Sequence, residues 1–210
     1  MKMKMQIITL SVSSFWPVVH GMRNPMNSWV KSDTDYGRDI IGKNDIKLMQ
    51  SLIKAGPEHC KFLRMIHVIA NVCMPRYWWS EADTYHFGTK NSCSTMHRLL
   101  NRLTPIILEQ FVYSEEDKDL FETIVARLEA LRQDFMNTTD PEEKNRLLVR
   151  AKRILPEGCL QLRTWDTNYQ ELRNIYFQRR NHKLKAEWQD VFCDWIKTLP
   201  YAEELITYEE

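Results

Sequence analysis

The 210-residue chain predicts a helix-rich α+β fold, a single domain over residues 1–210 with a small mixed or antiparallel sheet. Three observations carry that prediction. Two β-branched runs, residues 6–12 and 65–73, read as strands, the first of them buried. Three long segments repeat apolar residues at helical spacing. No Gly-, Ser- or Pro-rich linker and no internal repeat divides the chain.

Residues 21–39 are rich in Asn, Pro, Gly, Ser and Asp and read as a long ordered loop, with Met22, Met26 and Trp29 available to anchor it. Asn44 is placed to cap a helix to about Ala55, with Ile46, Met49, Leu52 and Ile53 on its apolar face and Gly56 as a stop. Pro57 then suits a turn or the first turn of a helix, and His67 in the second strand reads as a core histidine. A third element begins at Pro75, where Tyr77, Trp78 and Trp79 favour burial, and a polar loop occupies residues 88–95.

Residues 115–137 place Leu120, Phe121, Ile124, Leu128, Leu131 and Phe135 on one face of a helix of about six turns. Asp140, Pro141 and Glu143 then form a helix start with a capping box, leading to about Lys152. Residues 114–152 are thus a helical hairpin, an insertion or an oligomer contact. The last helix is expected over residues 166–190, with Leu172, Ile175, Tyr176 and Ala186 marking its stripe.

The 29 basic and 28 acidic residues nearly cancel, so no net field draws the chain to nucleic acid or to an anionic membrane. No run reaches the roughly 20 apolar residues of a membrane span. The Met/Lys start reads as the approach to a strand and not as an export signal, which implies a cytoplasmic protein. The five cysteines show no Cys-x-x-Cys spacing and the histidines no His-x-x-x-His, so free thiols and no metal are expected.

Chemistry concentrates in residues 75–97, where Glu81, Asp83, His86, Asn91, Ser92 and Ser94 crowd beside the aromatics. Buried polar groups need partners, so this density suggests the wall of a ligand site. Cys93 or Ser94 with His86 or His97 would be the nucleophile candidates, but no Gly-x-Ser-x-Gly elbow accompanies them. Near the C-terminus, Asn168 and Arg179 lie eleven residues apart, which on one helix is about 16 Å along a single face. An arginine in an apolar stripe must find an anion or reach water. Arg153 offers either a cation favoured at a helix C-terminus or a second guanidinium for a phosphate. The basic run over residues 179–185 points in several directions around a helix and reads as a solvated face.

The order of elements resembles the flavin-dependent thymidylate synthases (ThyX). Arg153-Ile154-Leu155-Pro156 and the segment NYQELRNIYFQRRNHKLKAEW over residues 168–188 carry the likeness, with Gly56-x-x-His59 before a strand. The resemblance implies a divergent member of that family, one ThyX-like domain acting as a homotetramer. It further implies FAD as cofactor, NADPH and methylenetetrahydrofolate as co-substrates, and a deoxyuridine nucleotide as the molecule acted on. Carried over by position, it places Arg76, Asn91, Ser92, Ser94, Arg153 and Arg179 on the nucleotide, and His59, Tyr85, His86, Asn168, Asn174 and His182 on the flavin. His86, Glu81 and Arg179 become the catalytic candidates, His86 because imidazole exchanges protons near neutral pH. The family's Arg-His-Arg signature is replaced by Thr84-Tyr85-His86, and Met96 stands where the family has an arginine after the loop serine. Positive charge would then come from Arg76, Arg153 and Arg179. The alternative function is a nucleotide-binding protein of the same fold that has lost flavin chemistry.

Overall fold

The computed structural model describes residues 4–209, so Met1, Lys2 and Met3 of the Met/Lys start lie outside the described residues. Strands β1 (Gln6–Val12), β2 (His67–Pro75), β3 (Thr89–Ser92) and β4 (Leu160–Asn168) form a four-stranded antiparallel sheet in the order β1-β2-β4-β3. The helices are α1 (Trp16–Arg23), α2 (Lys43–Lys54), α3 (Arg76–Ala82), α4 (Thr95–Arg98), α5 (Lys118–Asn137), α6 (Pro141–Ile154), α7 (Tyr169–Arg179), α8 (Asp194–Lys197) and α9 (Ala202–Leu205), with a π-helix over Lys185–Cys193. No helix among the described residues is long and apolar enough to cross a membrane.

β1 has the bounds expected of it but not the burial, because it is an edge strand whose Ile8 and Leu10 are 51% and 53% exposed. His67 is likewise no core histidine: it opens β2 with an exposed ring, 3.2 Å from Asp166. Part of the polar stretch after Gly88 is a strand, so Asn91 and Ser92 stand in β3 and not in a loop.

The largest departure is the last helix. In residues 160–168 the buried Trp165 and Thr167 are two positions apart, the period of a strand, and the segment pairs as β4. Asn168 ends that strand and caps α7, its Oδ1 accepting the Glu171 N–H at 3.0 Å. Helix α7 stops at Arg179, and the π-helix begins only at Lys185, leaving Ala186 exposed and off the α7 stripe.

The fold gathers into two compact units. The first holds residues 72–84 and 91–163 with residues 4–6. Its core joins Leu128 and Leu131 of α5 to Leu147 and Ala151 of α6 and to Leu99, Leu100, Ile106 and Phe111. The hairpin stripe is therefore spent on its own unit, apart from Leu120, which is 54% exposed. Asp140 caps α6 through the Glu142 N–H, whereas Glu143 turns away from a capping box to pair with Arg146 at 2.6 Å.

The second unit holds residues 7–71, 85–90 and 164–209. Its loop over residues 24–42 is fixed by charge and not by the expected apolar anchors: Met22 is buried, but Met26 is 81% exposed and Trp29 stacks on His20 near the surface. Arg23 and the fully buried Asp45 form an ion pair at 2.6 Å, and Ser32 and Thr34 each donate a hydroxyl to Asp45 at 2.7 Å. Gly42, not Asn44, is the α2 N-cap, and Asp33 accepts the first free N–H groups, those of Asn44 and Asp45.

Candidate functional site

Within the second unit, α7 and the π-helix hold Arg179 in an aromatic cage. Its guanidinium lies 4.6 Å from the Trp188 ring centroid and 5.5 Å from that of Tyr85. Nε donates to the Tyr85 hydroxyl at 2.7 Å, the hydroxyl donates to Gln178 Oε1 at 3.0 Å, and Gln178 Nε2 donates to Asn174 Oδ1 at 2.7 Å. This chain locks Tyr85, Arg179 and Asn174, three of the residues singled out from sequence, into one hydrogen-bonded row. His182 meets the Trp188 ring edge-on at 6.1 Å, and its Nδ1 accepts the Leu184 N–H.

Near the start of α7 lies Glu171, which is 5% exposed. Burial raises its carboxyl above the usual range, against the opposing pull of an Asn174 hydrogen bond and the charges of Lys90 and His86. It lines a cavity of about 220 Å³ with Arg64, Phe87, Asn168, Gln170 and Asn174. The wall beside this cavity depends on Gly88: its φ is +143°, and a Cβ there would meet Asp166 O at 2.4 Å. On either side of that close passage stand Phe87 and Lys90, with Lys90 lying over Trp165 and donating to Tyr85 O. His86 is exposed, and His59 is exposed in a turn after Gly56.

In the first unit the predicted residues are more dispersed. Arg76 opens α3 and pairs with Glu157 at 3.0 Å. Glu81 is half-buried in the last turn of α3, and Asp83 beyond it is taken by Arg163 at 2.9 Å. Asn91 and Ser92 are exposed on β3, Ser94 caps α4 by accepting the His97 N–H, and Arg153 is exposed in the last turn of α6. No group of three metal-ligating side chains forms among the described residues.

No family model matches this chain, and no curated protein matches it. Solved structures do. Two of flavin-dependent thymidylate synthase ThyX from Helicobacter pylori, each with FAD and dUMP, superpose with a TM-score of 0.74 at 19% identity, one covering 96% of this chain and 97% of its own. The chain has the ThyX fold. A UMP/dUMP methylase, PolB from Streptomyces cacaoi with 5-Br dUMP, matches at a TM-score of 0.64 and 16% identity, over 98% of this chain and 96% of its own. At such identities the likeness to ThyX and to PolB is one of fold.

Glu171, Lys90, Phe87, Arg64 and Trp188 were not singled out from sequence. A signal for Glu171 was present: Asn168-x-x-Glu171 is the spacing of an N-cap followed by an N3 glutamate, and it marks a helix start at Asn168.

Proposed function

We propose that this protein is an enzyme that transfers a one-carbon unit, as methyl or hydroxymethyl, to C5 of a deoxyuridine nucleotide, with FAD as cofactor. The observation that carries the reading is the Arg179 cage on α7 within a chain of ThyX fold: a guanidinium held by two aromatic rings and a tyrosine hydroxyl is a preorganised cation for an anionic pyrimidine or its phosphate. NADPH and methylenetetrahydrofolate complete the reading as co-substrates, and a homotetramer in the cytoplasm as the working state.

The residues around Glu171 suit one end of a flavin. Asn168, Gln170 and Asn174 offer amides to a polar ring edge, Phe87 an exposed ring to stack, and Arg64 a cation. A cavity of about 220 Å³ is sized for part of that cofactor. Bound reduced flavin would supply the electron pair that methyl transfer consumes; hydroxymethyl transfer stays at the oxidation level of methylenetetrahydrofolate and would consume none. Arg179 binds and orients the nucleotide and His86 handles a proton at the pyrimidine ring, with Glu81 the third catalytic candidate; Arg76, Asn91, Ser92, Ser94 and Arg153 are the further residues that the resemblance assigns to the nucleotide. His59, Tyr85 and His182 complete the flavin side.

The test is a visible absorption spectrum of the purified protein after incubation with FAD, combined with thermal shifts for FAD, dUMP and both. Joint stabilisation and C5-alkylated product are expected. A protein that takes up no flavin and forms no such product defeats the reading, while stabilisation by dUMP alone supports the binding protein instead. Arg179→Ala should abolish the dUMP shift.

A further inference from the structure

An apolar cavity of about 320 Å³ lies wholly within the first unit, at the lower end of the sizes that small-molecule sites span. Leu99, Ile106, Phe111, Leu160 and Leu162 line it, together with the thiols of Cys73 and Cys159, which burial pushes up to about 11 and so keeps neutral. Of the residues assigned to the nucleotide, only Ser94 reaches it.

Two arginines, Arg98 and Arg102, also line this cavity and a second one of about 350 Å³ past Asn101, Leu103 and Met136. Arg102 is half-buried, yet every acceptor it has is neutral: Thr104 Oγ1 at 2.9 and 3.1 Å, Gln110 Oε1 at 3.0 Å and Pro105 O at 3.2 Å. The nearby carboxylate, Glu129, is committed to Arg132 and to the Ile106 N–H. Burial, and then the Arg132 charge, hold Arg102 below the usual arginine value. The Arg98 side chain makes no hydrogen bond or ion pair among the described residues.

A desolvated guanidinium without a carboxylate is stabilised by an anion, and the fork of an arginine fits a carboxylate through two parallel bonds. We propose that this cavity binds a small amphipathic carboxylate, its apolar body against Leu99, Ile106, Phe111 and Leu160 and its carboxylate on Arg98 and Arg102.

The inferred site shares only Ser94 with the residues assigned to the nucleotide and is tested beside that reading. The probes are 4-phenylbutyrate and the neutral 4-phenylbutanol, titrated while methyl NMR signals of Leu99, Ile106 and Leu160 are followed. Phenylbutyrate should move those signals and bind about tenfold more tightly than the alcohol, the lower end of what one charge-assisted hydrogen-bonded pair supplies. Arg102→Gln and Arg98→Gln should each remove that preference; Arg98, being exposed and unpaired, keeps the test alive if Arg102→Gln does not fold. Equal binding of acid and alcohol, unmoved methyl signals, or wild-type affinity in Arg98→Gln overturns the proposal. So does loss of the dUMP shift in Arg98→Gln, which would make the cavity part of the nucleotide site.

Discussion

Two of the buried carboxylates in the second unit, Asp45 and Glu171, face opposite fates. Asp45 is fully buried and surrounded by donors: Arg23, the Ser32 and Thr34 hydroxyls and the Asp33 N–H. Burial alone would raise its pKa, but the hydrogen bonds from Ser32, Thr34 and Arg23, with the Arg23 charge, outweigh it and hold the carboxyl low. Glu171 is almost as buried but has only the Asn174 hydrogen bond and the electrostatic pull of Lys90 and His86 to oppose desolvation, so desolvation wins and its carboxyl is held high. One carboxylate is wired to hold a loop; the other borders a cavity and holds its proton more tightly than an exposed carboxyl does.

The largest effect is expected of Asp45→Asn. It leaves the Arg23 cation buried without its anion, which should cost about 3–5 kcal/mol and lower Tm sharply in a thermal melt. The pH dependence follows from the lowered pKa. Asp45 stabilises the fold fully above the unfolded carboxylate value, and that contribution is lost as pH falls through the depressed one. A variant as stable as the wild type at neutral pH would show that the loop is held by other contacts.

Legibility in the sequence follows the same divide between local and tertiary partners. The hairpin was legible because Asp140, Pro141 and the Ile124, Leu128 and Leu131 spacing are local signals. Arg179 and Asn174 were found as residues of a helix and do share one. The Arg23–Asp45 pair was not legible, since its partners are 22 residues apart and pairing is a tertiary fact. β4 was missed because Leu172 and Ile175 beyond it extend a helical period backwards over a strand, and propensity yields to the sheet partners that β2 and β3 supply. Glu171 escaped for the same reason: with the helix start misplaced, its capping position was hidden.

A smaller effect tests whether the donors around Asp45 share its load. Ser32→Ala removes one hydroxyl at 2.7 Å and leaves Arg23 and Thr34 in place. A hydrogen bond to a charged group is worth about 1.5–3 kcal/mol, so a loss of about 1.5 kcal/mol by chemical denaturation is expected. No loss would mean that water replaces the hydroxyl and that Asp45 is less enclosed than its neighbours imply.

The smallest effect has the opposite sign. Glu171 has a raised folded pKa, so at neutral pH its ionisation is penalised in the folded state and not in the unfolded one. Below the ordinary carboxylate range both states are protonated and the penalty vanishes. Glu171→Gln keeps the shape and can still bond to Asn174, so it should raise Tm modestly at pH 7, with the gain fading toward about pH 4. Melts of both proteins across that range read the difference directly. A destabilised variant at pH 7 would mean that the carboxylate is paired as Asp45 is, and the contrast between the two sites would collapse.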